Sequence, residues 1–158
     1  MGTDTRRPRQ ARKAPMERVL LIALSPTREK LLLDEPELVH AIVQQRAKTA
    51  IPRSIEFDDS FVALQQALSE YAAKSGSPPV HAEALTPRGG LLLYEDDTIE
   101  AARLVGAEQA QLVARWVASL PAELTSRSAI AAELGRLRSF YGELAGLGHA
   151  LLCIRFRE

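Results

Sequence analysis

Carboxylates crowd two short stretches of this 158-residue chain. In YEDDTIE, Glu95, Asp96, Asp97 and Glu100 lie close together. Calcium or magnesium would favour such oxygen ligands. However, the alternating D-x-D-x-D-G pattern of a calcium loop is missing. The patch therefore reads as a solvated acidic loop, or as a surface that meets a basic partner by charge complementarity. In FDDSF, Asp58 and Asp59 are adjacent. Neighbouring residues do not share one helix face, and a general acid–base pair must aim both groups at one substrate. A helix start explains both aspartates, one capping free N–H groups and the other sitting at the positive end of the helix dipole.

The other reactive side chains form no recognisable device. His40, His81 and His149 make neither an H-E-x-x-H nor an H-x-H pair, the spacings that bring imidazoles to one metal. His40 falls among apolar neighbours in a helical stretch, and His149 at a helix C-terminus, where positive charge is favoured. The single cysteine, Cys153, lies in an apolar run, where a thiol is ordinarily inert. No serine sits in a G-x-S-x-G elbow and no glycine-rich phosphate loop occurs. Gly89–Gly90 in TPRGG reads as a turn. No cofactor and no metal site is expected.

Total composition narrows the class. Hydrophobic residues make up 46% of the chain and charged residues 25%, ordinary for a globular protein. One cysteine excludes an intrachain disulfide and suits a reducing cytosol. The apolar runs VLLIAL and ALLCI are too short to span a bilayer, and no secretory leader is expected. Of 20 basic and 20 acidic residues, five and one lie in residues 1–16, leaving 15 and 19, a net charge of −4. The five are Arg6, Arg7, Arg9, Arg12 and Lys13. Residues 1–16 thus read as a disordered basic tail, either an arm for a polyanion or an extension ahead of a start at Met16. Residues 17–158 read as one domain.

The apolar pattern supplies the elements that must hold these groups. ERVLLIAL reads as a buried strand. Ser25 and Pro26 open a helix, by capping and by a first-turn proline. A second helix restarts at Pro36, capped by Asp34 or Glu35, with Leu38, Ile42, Val39 and Val43 on its buried face. SIEF is a short strand. Phe61, Leu64, Leu68 and Tyr71 then share one helical face. KSGSPP breaks the chain and LLLYE is a strand. DDTIEAARLV is open between strand and helix. Val113, Trp116, Val117 and Leu120 mark another helix, PAELTSRS a turn or short helix, and Ile130, Leu134, Leu137, Tyr141 and Leu144 the helix with the strongest periodic signal, closed by Gly146 and Gly148. In HALLCIRFRE, Leu151, Cys153 and Arg155 face one way and Leu152, Ile154 and Phe156 the other, which predicts an interior strand. The expected class is α+β, a mixed or antiparallel sheet holding both terminal strands, packed by four to five helices.

The order of these segments resembles the YfbM-like family, a bacterial domain of unknown function. The resemblance rests on LIALSPTREKLLLDEPEL near the start, FDDSFVALQQAL, a Gly-Gly pair before a strand, ARLVGAEQAQLV, and the ending LRSFYGELAGLGHALLCIRF. It spans roughly residues 17–157. Phe61 and Val62 stand where the family has Trp and His, and Gly106 and Ala107 where Thr and Pro are usual. The resemblance implies an α+β fold and brings no catalytic residues with it.

These readings favour a non-enzymatic binding protein of the bacterial cytosol, of immunity or inhibitor type, that captures a partner protein through Glu95, Asp96, Asp97 and Glu100. Two other classes stay open. One is an enzyme whose site is assembled from scattered groups such as Asp58, Glu95 and His81. The other is a nucleic-acid accessory protein that uses the basic tail.

Overall fold

The computed structural model describes residues 17–76, 90–127 and 129–157. Their frame is set by two strands with long unbroken apolar runs, residues 19–24 and 150–154. β1 (Glu17–Leu24) is buried from Val19 onward, and β5 (Ala150–Arg157) is buried at Ala150–Ile154 and Phe156. A strand points successive side chains to opposite faces, so such runs need cover on both sides. They pair antiparallel in the middle of a five-stranded sheet, from Glu17 opposite Arg157 to Leu24 opposite Ala150. The order is β2 (Ser54–Phe57), β1, β5, β4 (Ile99–Val105), β3 (Leu91–Tyr94), and every pairing is antiparallel. The sheet thus joins the two ends of the described chain at its centre, as expected.

Helices cover both faces. On one face lie α1 (Pro26–Asp34) and α2 (Leu38–Gln45), packing Leu32, Val39 and Val43 on Leu20, Ile22, Leu152 and Ile154. The other face carries α3 (Phe61–Ser75), α4 (Ala107–Ala118), the single turn α5 (Ala122–Thr125) and α6 (Ala131–Leu147). Here Leu64, Leu68, Val113, Val117, Leu134, Leu137 and Leu144 pack on Val19, Leu21 and Leu151. Burying each of these side chains fully stabilises by roughly 1.5–3 kcal/mol. The segment open between strand and helix is strand β4 at Ile99–Val105.

Local signals set several boundaries. Ser25 caps α1, its hydroxyl accepting from Arg28 N–H at 3.3 Å, with Pro26 in the first turn. Gly76 and Gly148 end α3 and α6 with φ of 71° and 65°, a left-handed conformation that costs little only without a Cβ. Gly146 remains inside α6. Two expectations shift. Pro36 and Glu37 form a turn, and α2 begins only at Leu38, without a side-chain cap from Asp34 or Glu35. With that later start Val39 and Val43 meet the core, while Leu38 and Ile42 are only partly buried. Tyr71 is likewise half-buried, against Trp116 with ring centres 6.2 Å apart. Six helices, one of them a single turn, stand among the described residues, where four to five were expected. The tail at residues 1–16 and the stretch containing His81 and Gly89 lie outside the described residues.

Candidate functional site

The acidic stretch becomes the tip of the β3–β4 hairpin, and the fold divides its four carboxylates among three roles. Asp96 holds the turn. Its Oδ1 accepts the backbone N–H groups of Thr98 at 2.8 Å and Ile99 at 2.7 Å, and its own N–H donates to the Ile99 carbonyl at 2.9 Å. Its Oδ2 accepts the Tyr94 hydroxyl at 2.9 Å and lies 3.2 Å from His40 Nδ1 on α2. The Ile99 N–H is the main influence that lowers the Asp96 pKa, with Thr98, Tyr94 and His40 adding to it against partial burial. The bond from the Tyr94 hydroxyl to Asp96 is in turn the main influence that raises the Tyr94 pKa, since a phenolate there would face the Asp96 carboxylate.

Glu100 turns the other way. A bulge between Ile99 and Ala101 sends it to Arg155, whose Nε lies 3.1 Å from Glu100 Oε1 and whose Nη2 lies 2.6 Å from Glu17 Oε1. That guanidinium sits 5.4 Å from the centre of the Phe61 ring. Glu100 is therefore part of a cluster joining β1, β4, β5 and α3. Glu95 and Asp97 are exposed and pair with no cation among the described residues. The patch named from sequence reduces to two uncommitted carboxylates on a turn fixed by a third.

Beside them runs the edge of the sheet. Among the described residues β3 pairs only with β4, and its Leu91 and Leu92 are 57% and 41% exposed. They pair with Leu104 and Arg103 and so point to opposite faces of the strand. Gly90 leads into β3 where a Cβ would meet the Leu104 carbonyl at 2.9 Å, so only glycine lets the two backbones come this close. At the other edge, Arg136 of α6 reaches over β2, donating to the Glu56 carbonyl at 2.7 Å with its guanidinium 4.8 Å from the Phe57 ring centre. Sequence reasoning found LLLYE as a strand but missed its place at an edge, which depends on pairings far away in the chain.

The remaining groups have structural settings. The Ser60 hydroxyl, and then the Ser60 N–H that Asp58 Oδ1 accepts at 2.9 Å, lower the Asp58 pKa, while Ser60 stands at the N-cap of α3 without a side-chain bond into the helix. Asp58 follows β2 and Glu95 follows β3, at opposite edges. Four strand spacings of roughly 4.8 Å place them about 19 Å apart, beyond the reach of a shared proton transfer. His81, their third partner, lies outside the described residues. At His149 the backbone N–H closes α6 on the Leu144 carbonyl at 3.3 Å, while its buried ring Nδ1 has no hydrogen bond among the described residues. Cys153 is 3% exposed, and burial pushes its thiol up to about 12. Among the described residues no three His, Cys, Asp or Glu side chains gather closely enough to hold a metal ion, and no helix is long and apolar enough to cross a membrane. Comparison with known proteins finds no matching family model, no similar curated protein and no similar solved structure.

Proposed function

We propose that the chain acts by binding, capturing a partner protein at the β3 edge and the hairpin tip in the manner of an immunity or inhibitor protein of the bacterial cytosol. The observation that carries this reading is an edge strand, unpaired on its outer side among the described residues, with exposed Leu91 and Leu92, continuous with a turn whose Glu95 and Asp97 are uncommitted. An extended segment can add to such an edge through main-chain hydrogen bonds, with side-chain contacts giving specificity. The fitting partner presents a strand with apolar residues and flanking Lys or Arg. Asp96 serves by holding the turn in one shape, which lowers the ordering cost of binding. The kinship with YfbM-like domains belongs to the same proposal, supported by the order of segments quoted above and the α+β fold.

The test is a pulldown from native cytosol with wild type, the double variant Glu95→Lys with Asp97→Lys, and Leu92→Asp. The reading expects one protein retained by wild type and reduced at least about tenfold by either variant, because like charges facing across an interface cost several kcal/mol. Equal retention by all three, with unchanged thermal melts, overturns it.

A further inference from the structure

A second surface of the molecule is open where packing alone would have closed it. A cleft of about 400 Å³ lies between α1, α2 and the loop leading to β2, with Ile22 and Leu24 of β1 in its lining. Its walls are Leu31 of α1, Leu38 and Ile42 of α2, and Ile51 of the loop. The volume lies within the range of small-molecule pockets.

Three features distinguish this cleft from a packing gap. Helix α2 already meets the core through Val39 and Val43, yet it carries a second apolar side, Leu38 and Ile42, that faces the cleft. The loop is held in place: Ser54 Oγ donates to the Ile51 carbonyl at 2.6 Å, and Ala23 N–H donates to the Arg53 carbonyl at 3.0 Å. Arg53 has φ of 53°, a left-handed conformation that costs a non-glycine residue roughly 1–2 kcal/mol, so surrounding contacts must maintain it. Finally, Arg28 is the one charged residue of the lining, and among the described residues it makes no ion pair. It stands in the first turn of α1, at the helix end that also attracts anions.

We propose that this cleft binds an aliphatic chain that ends in a carboxylate. The hydrocarbon lies among Leu31, Leu38, Ile42 and Ile51, and the carboxylate meets the guanidinium of Arg28. Apolar walls with one cation select a ligand of that polarity: a polyanion would leave charges against leucine, and a neutral hydrocarbon would forgo the charge-assisted contact with Arg28.

Calorimetric titration of the full chain with decanoate and with decanol, both below micelle formation, tests the assignment. Wild type is expected to bind decanoate about tenfold more tightly than decanol, the gain of a charge-assisted hydrogen bond. Arg28→Gln is expected to remove that difference and leave decanol binding unchanged. Ile42→Trp, which fills the cleft, is expected to weaken both ligands at least about tenfold. Leu31→Gln, at a rim position 46% exposed where folding is not at stake, is expected to weaken both if the tryptophan variant fails to fold. No decanoate binding at millimolar concentration, equal effects of Arg28→Gln on the two ligands, or indifference of both ligands to the rim variant would overturn the proposal.

Discussion

Asp96 is one side chain that gathers a strand, a turn and a helix, and its chemistry sets a pH dependence. Its carboxylate accepts two backbone N–H groups and the Tyr94 hydroxyl, so folding lowers its pKa. The stabilisation is therefore fully present above its unfolded value near roughly pH 4 and is lost as pH falls through the lower folded value. Asp96→Asn keeps an oxygen for the turn and should flatten this acid slope in urea titrations below about pH 4. Asp96→Ala, which removes the turn acceptors, should lower stability at neutral pH by about 1 kcal/mol, as for a lost helix cap. Cys153 shows the opposite sign. Burial raises its thiol from 9.0 to about 12, so its contribution is complete below pH 9.0 and is lost as pH rises toward 12. Iodoacetamide should label the native thiol at least about 100-fold more slowly than the unfolded one, since access needs opening of the central strand.

At the scale of elements, glycines separate backbone strain from crowding. A Cβ at either Gly146 or Gly148 would touch nothing within 4 Å, but only Gly148 has positive φ. Gly148→Ala should lower stability by about 1 kcal/mol, and Gly146→Ala, inside the helix, should raise it by about 0.5–1 kcal/mol. Thermal melts of the two variants should move in opposite directions. Gly90→Ala is a third case. Its Cβ would meet the Leu104 carbonyl at 2.9 Å, so the cost should appear as faster amide exchange in β3 and β4, with β1 and β5 protected as before.

Across the whole molecule, what the sequence made legible follows from how local each signal is. The double-sided apolarity of Leu151–Phe156 was enough to put that strand inside a sheet. Leu134, Leu137, Tyr141 and Leu144 marked the longest helix, and Ser25–Pro26 the start of another, because caps and helical periodicity act within a few residues. The site was less legible, since strand order assembles it. Arg155 joins Glu17 to Glu100 only because β5 lies between β1 and β4. His40 meets Asp96 only because α2 crosses the face on which the hairpin tip turns. Counting carboxylates gave four equivalent groups, whereas cross-strand register made one a turn clamp, one an ion-cluster member and two open to solvent. The leucines of β3 become a candidate contact for the same reason, by standing last in the sheet.

The central claim is that a partner protein sits on β3. The most direct test places a photo-crosslinking amino acid at position 92, 41% exposed, and, as a control, at position 62, a more accessible site, 55% exposed, on α3. Irradiation in native cells should join the partner at position 92 and not at position 62, and Glu95→Lys with Asp97→Lys should abolish that product while the fold persists. Crosslinking to the same protein at both positions, or a product at position 92 that survives charge reversal, would contradict the account.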